Sequence, residues 1–159
     1  MLDDSRISEE IFNRLNNPMD TLKLDVFNMF IGKYLGSGVY RDVFEFKQDH
    51  ESVVKIDRGE NESEHPNIVE FETWHALKNT RWGKWLAPSR HIGVGGKLLI
   101  QARTYKIPAI FNMPKKIPSF LQDTHLGNFS LWNGNLVCHD YGMIKMFGKI
   151  KMVDAKWRD

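Results

Sequence analysis

Cys138 is the only cysteine, so no internal disulfide can staple the chain and its fold must rest on a hydrophobic core. That usage fits a reducing compartment, and a cytoplasmic location is expected. No apolar run approaches the roughly 20 residues that span a bilayer. The opening Met1-Leu-Asp-Asp-Ser-Arg6 is acidic and polar and does not read as a secretory signal, so no membrane association is expected. Repeats, linkers and low-complexity stretches are missing as well. What remains is an ordinary globular composition, 42% hydrophobic and 12% aromatic over 159 residues, enough for one domain or one small bilobal unit.

The most telling scarcity is of acid in the second half. Residues 1–72 hold 8 Lys/Arg against 16 Asp/Glu, whereas residues 73–159 hold 14 against 4. The first reading of this asymmetry is two oppositely charged halves that attract across a cleft. The second is a basic half that faces a polyanion, either nucleotide phosphates or, less favoured, nucleic acid. The four acids of the second half are Asp123, Asp140, Asp154 and Asp159. Two of them lie in the segments Asp123-Thr-His-Leu-Gly-Asn128 and Asp140-Tyr-Gly142, which bracket a short hairpin. An acidic side chain in so basic a stretch is expected to have a task.

Along the chain, apolar residues at 7, 11, 12 and 15 predict a helix over 4–16, stopped by Asn16-Asn-Pro18. Leu22–Phe30 reads as a short helix or strand. The pattern then turns to strands at Ile31–Leu35, Asp42–Phe46 and Val53–Ile56, with a tight turn at Gly36-Ser-Gly38. Asn67–Lys78 predicts a helix whose buried face carries residues 68, 71, 74 and 77. His91–Val94 and Lys97–Thr104 read as a hairpin around Gly95-Gly96. Prolines at 108, 114 and 118 allow only short helical turns in 105–122. Asn133-Gly134, between Phe129–Trp132 and Leu136–Cys138, signals a type I′ hairpin. Met146, Ile150 and Met152 suggest a final strand.

Two carboxylates and a carboxamide on loops beside a tight hairpin suit one kind of chemistry. They can ligate magnesium, a hard cation that wants oxygen, and orient an acceptor hydroxyl beside a nucleotide phosphate. Upstream lie a glycine turn, a strand lysine (Lys55, in Val-Val-Lys-Ile) and a helical acid. The helical acid is Glu70, with Glu72 as the fallback. This order of elements resembles the protein-kinase-like superfamily over residues 31–142. The form Asp-x-His-x-x-Asn at 123–128 is closest to its atypical and aminoglycoside-phosphotransferase-like branches. The minimal size is similar to that of small kinase-like proteins in bacteriophage genomes, for which the compartment would be the host cytoplasm.

The resemblance implies an α+β fold, with an N-terminal extension and antiparallel N-lobe in 1–104 and a reduced C-lobe in 105–159. It implies ATP and Mg²⁺ as cofactors. Gly36, Ser37 and Gly38 would cover the phosphates, with Arg41 where a third glycine is usual. Lys55 would grip the phosphates and pair with Glu70. Asn128 and Asp140 would hold the metal, and Asp123 would act as base or orienter. Gly142 would let the chain turn away. The acceptor would be a macromolecule, a protein, that brings its own docking surface. The chain departs from the family in two ways. Leu121 and Gln122 stand before Asp123 in place of the usual His-Arg, and only 17 residues follow Gly142. A non-catalytic kinase-like binding protein is therefore the alternative. A third reading, a metal-dependent hydrolase, would bring Asp123, His125, His139 and Asp140 onto one ion.

Overall fold

In a computed structural model the chain is described over residues 21–59, 65–145 and 148–159. The helix expected over 4–16 and Met146 lie outside these residues. The fold is α+β. Helix α1 (Thr21–Phe30) runs straight into strand β1 (Ile31–Ser37). It is followed by β2 (Arg41–Phe46), β3 (Ser52–Asp57), helix α2 (Pro66–Leu77), β4 (Ser89–Ile92) and β5 (Leu98–Ala102). These strands form an antiparallel sheet in the order β1-β2-β3-β5-β4.

Strand β3 is the centre of the sheet, and all six of its residues are buried. Because successive side chains alternate faces, Val54 and Ile56 join Phe27, Ile31 and Phe44 in an apolar cluster on one side. Each such side chain stabilises the fold by about 1.5–3 kcal/mol when fully buried. Val53 and Lys55 point to the other side. The register places Val43 and Leu99 on either flank of Lys55, and Gln101 beside Val53. Arg41, two residues before Val43, shares that second face. Three polar side chains from three adjacent strands therefore meet under one helix.

That helix is α2, started by Pro66 in its first turn, where a missing N–H costs nothing. Its buried residues are Pro66, Asn67, Glu70, Thr73 and Leu77. The expected face of 68, 71, 74 and 77 is corrected by this: only Leu77 is fully buried, and Ile68, Phe71 and Trp74 are partly exposed. The physical reason lies in the sheet below. Arg41, Lys55 and Gln101 need acceptors, and leaving a buried donor unpaired costs about 1–3 kcal/mol. The polar stripe of the helix meets that need, and the apolar residues on the adjoining stripe turn partly outward.

In the second half, β7 (Phe129–Trp132) and β8 (Asn135–Cys138) form a hairpin turned by Asn133 and Gly134, with φ of 49° and 75°. Both angles lie in the left-handed region that a type I′ turn requires. Leu77, Leu86, Ile117, Phe120, Phe129 and Tyr141 contribute to a second core. The proline-rich stretch carries a strand where only helical turns were expected: β6 (Lys116–Pro118) pairs antiparallel with β9 (Met152–Asp154). A two-stranded ribbon tolerates Pro118 because one edge needs no ladder donor. The final strand is thus shorter and later than the alternation of 146, 150 and 152 suggests. Among the described residues no helix is long and apolar enough to cross a membrane.

Candidate functional site

Glu70 is fully buried and is the hub of the site. Its Oε1 accepts from Arg41 at 2.7 Å, from Lys55 at 3.2 Å and from the backbone N–H of Tyr141 at 2.9 Å. Its Oε2 accepts from Lys55 and from Gln101, each at 3.0 Å. Burial alone would push this carboxyl up, but the charges of Arg41 and Lys55 outweigh it and hold Glu70 down at about 2. Burial likewise works against the charge on Arg41, and Glu70 and Asp140 more than compensate, so its pKa is raised. Lys55 is drawn below its ordinary value by burial, with Glu70 opposing. Glu72, the fallback partner for Lys55, is exposed on the far side of the helix.

The Arg41 guanidinium also donates to Asn67 Oδ1 at 3.3 Å and to Asp140 Oδ1. Lys55 also donates to the carbonyl of His139. Asp140 is therefore bound to the sheet by Arg41 directly and by Lys55 through its neighbour. Tyr141 completes the junction: its hydroxyl donates to Ala87 O at 2.6 Å and lies 3.0 Å from Ser89 Oγ. The next residue, Gly142, passes so close to the start of α2 that an added Cβ would lie 2.6 Å from Pro66 Cβ and 2.8 Å from Pro66 O. Glycine stands there for close approach, within a turn in which Ile144 N–H donates to Tyr141 O at 3.3 Å.

Asp123 and Asn128 lie on the loop before β7. Asn128 Nδ2 donates to Asp123 Oδ2 at 2.8 Å, and the backbone N–H of His125 donates to Oδ1 at 3.3 Å. His125 Nδ1 accepts from Gly127 N–H at 3.0 Å, so the histidine braces the loop. The Asn128 carbonyl accepts from His139 N–H at 2.9 Å, which ties this loop to the Asp140 segment. His139 Nδ1 lies 2.7 Å from Ser130 Oγ, and burial followed by the charge on Lys55 lowers the imidazole to about 4. With His125 and His139 both engaged locally, the four-ligand hydrolase reading has no geometric support.

These groups line one cleft of about 1060 Å³ between the sheet and the second half. Gly36, Ser37 and Gly38 lie along one wall, and Gly38 faces the second oxygen of Asp140, 3.7 Å from where its Cβ would be. Arg41, Lys55, Asp123, Asn128 and Asp140 line the same cleft. Asp140 and Asn128 offer a carboxylate and an amide carbonyl, the hard donors magnesium prefers. Among the described residues no three His, Cys, Asp or Glu side chains converge as a metal site, and Asp140 already faces Arg41. The pair fits an ion that arrives on a phosphate, whose oxygens and waters complete its shell. It does not fit an ion held by the chain alone.

Several members of this site gave little signal in the sequence. Arg41 was legible only as an odd residue where a glycine is usual. Asn67 and Gln101 are ordinary polar residues until the register brings them under Glu70. Arg158 had no signal at all. The chain doubles back after β9, with Leu126 N–H donating to Arg158 O at 2.8 Å and Arg158 N–H to Thr124 O at 3.1 Å. Trp157 packs edge-on against Phe129 at 5.0 Å, and the Arg158 side chain lies 2.6 Å from Asp123 Oδ1. Both partners of that ion pair are about two-thirds exposed (63% and 66%), so it adds little stability.

No protein-family model matches the chain, and no curated protein sequence does. Four solved chains match in structure. One of them is the streptomycin–ATP–APH(2″)-IIa ternary complex, an aminoglycoside phosphotransferase of the protein-kinase-like fold. It is 19% identical with a TM-score of 0.39, and the match covers 58% of this chain and 31% of that one. The present chain thus aligns with about a third of the length of the phosphotransferase.

Proposed function

We propose that this chain is a minimal kinase-like protein that binds ATP in the cleft and transfers its γ-phosphate to a macromolecular acceptor, a protein. The observation that carries the reading is the convergence of Arg41 and Lys55 on buried Glu70, with Asp140 and the Gly36–Gly38 turn lining the same cleft and Asp140 close beside Gly38. Two fixed cations beside a glycine turn suit a polyphosphate, because phosphoryl transfer asks a protein mainly to position groups and neutralise charge. In this proposal residues 1–104 supply the phosphate-gripping half and 105–159 the acceptor half. Gly36, Ser37, Gly38 and Lys55 hold the nucleotide. Asn128 and Asp140 meet a nucleotide-borne Mg²⁺, which would supply further charge neutralisation. Asp123 orients the acceptor hydroxyl and takes its proton as the new P–O bond forms and ADP leaves. The proposed setting is a reducing cytoplasm, consistent with the buried free thiol of Cys138.

The second reading, binding without turnover, is favoured by one feature: each cleft carboxylate already carries an arginine, Arg41 on Asp140 and Arg158 on Asp123. The experiment that separates the two is Asp123→Ala, measured by calorimetric ATP titration and by phosphate transfer to candidate proteins. Catalysis predicts nearly unchanged ATP affinity and turnover reduced about 10²–10⁴-fold, since orienting groups act mainly in the transition state. A biological activity that survives the substitution unchanged would leave binding as the function.

A further inference from the structure

Arg41 stands out among the charged groups of the cleft. It is 6% exposed, yet it lines the cleft, and it follows the glycine turn directly: Gly38 N–H donates to the Arg41 carbonyl at 2.9 Å. Its guanidinium is clamped by Glu70 and Asn67, both fully buried, and reaches Asp140, whose side chain is 44% exposed. A guanidinium cannot lose its charge at any ordinary pH, and its planar fork matches phosphate oxygens as well as carboxylate oxygens. The position is one that a divalent ion's charge would otherwise serve: against Asp140 and beside the loop that faces the phosphates.

We propose that Arg41 is a built-in phosphate-binding cation, so that this cleft takes free, metal-less nucleoside triphosphate about as well as its magnesium complex. The inference rests on the ATP-site reading above and specifies what that site requires of its ligand. The exchange it implies is balanced. The buried cluster holds two cations, Arg41 and Lys55, against two anions, Glu70 and Asp140. Of the anions, Glu70 is sealed and spends both oxygens on four donor groups, whereas Asp140 is the solvent-facing member. An entering phosphate oxygen can take the place of Asp140 on the guanidinium while Glu70 and Asn67 keep the arginine in place. No buried charge is left uncompensated at any point, which is the condition that makes such a swap affordable. A site that depends on Mg²⁺ gains its phosphate affinity only when the ion is present. This site carries one cation of its own at Arg41 and a second at Lys55.

The test is ATP titration of the whole chain by calorimetry, once with Mg²⁺ and once with EDTA. The expected result is a pair of dissociation constants within about threefold of each other. In Arg41→Gln the EDTA affinity should fall at least about tenfold, and Mg²⁺ should restore part of it. Because Arg41→Gln strips a partner from buried Glu70 and can unfold the chain, Asp140→Asn provides a second variant. It frees the guanidinium from its competing carboxylate, and EDTA affinity should hold or rise. A wild-type affinity that drops more than about tenfold in EDTA overturns the proposal while leaving the ATP cleft standing. So does a folded Arg41→Gln with undiminished EDTA affinity, which would make the arginine a purely structural clamp. An Asp140→Asn variant that loses EDTA affinity about tenfold overturns it as well. Failure to bind ATP under either condition removes the ATP-site reading and this inference together.

Discussion

Glu70→Gln isolates the charge at the hub while keeping its shape. In the native chain the carboxylate accepts from Arg41, Lys55, Gln101 and the Tyr141 N–H. The amide loses the negative charge that holds two buried cations, and its own NH₂ has to face one of those donors. Removing one partner from a buried ion pair typically costs about 3–5 kcal/mol. At about 2–4 °C of melting temperature per kcal/mol for a chain of this size, the expected fall is about 6–20 °C. In urea, with a slope of about 2 kcal/mol per molar, the midpoint should move down by about 1.5–2.5 M at unchanged slope. Glu72→Gln, two residues away on the exposed side of the same helix, should stay within about 0.5 kcal/mol of wild type. A Glu70→Gln variant that loses less than about 1 kcal/mol would show that Arg41 and Lys55 do not depend on this carboxylate, and the hub account would be wrong.

Acid should destabilise the fold in two stages. His139 is lowered from 6.5 to about 4, so between those values the unfolded chain binds a proton that the native one does not, and stability falls as pH drops through that window by up to about 3 kcal/mol. Glu70 is lowered from 4.5 to about 2, so its contribution is complete above pH 4.5 and is lost as pH falls through 2. A melting temperature that is flat between pH 6.5 and 4.5 would contradict the first stage, and His139→Gln should abolish that limb. Gly142→Ala should cost about 1–3 kcal/mol, because its Cβ would fall 2.6 Å from Pro66 Cβ and the backbone must shift. Gly38→Ala, whose Cβ meets only Asp140 Oδ2 at 3.7 Å, is the contrasting substitution; equal melting temperatures for the two would refute the close-approach account.

The order of elements was legible because each carries a local signal: β-branched runs at Val53–Ile56, the Asn133-Gly134 turn, and the five-residue step from Asp123 to Asn128. Lys55 and Glu70 were legible from the order of elements, a strand lysine followed by a helical acid, with Glu72 as the alternative until the fold buried Glu70 and left Glu72 exposed. The rest depended on which face met what. The apolar period of α2 pointed to residues 68, 71, 74 and 77, and a polar requirement from the sheet overrode it. The β6–β9 pairing joins residues 116 and 154, too far apart for any local pattern to register, and its strands span three residues each. Arg158 reaches Asp123 because the returning chain is held by its backbone bonds to Leu126 and Thr124 and by Trp157, whose indole N–H donates to Pro114 O at 3.0 Å. An interaction that exists only through tertiary return leaves no periodic trace.

Glu70 is satisfied from both halves at once: from the sheet by Arg41, Lys55 and Gln101, and from the segment after β8 by the Tyr141 N–H. With no disulfide, the geometry of the cleft and the joining of the two halves rest in part on the same hydrogen bonds. Buried polar networks of this kind tend to fail as units, because a partly satisfied one is worse than none. Loss of activity in Arg41, Lys55 or Glu70 variants therefore mixes chemistry with stability, and each needs a melting curve beside it. Asp123 is different. Its side chain is 66% exposed and is held by Asn128, the His125 N–H and the equally open Arg158. Its removal leaves the hub untouched, so it is the carboxylate at which function can be asked about without first asking whether the chain is folded.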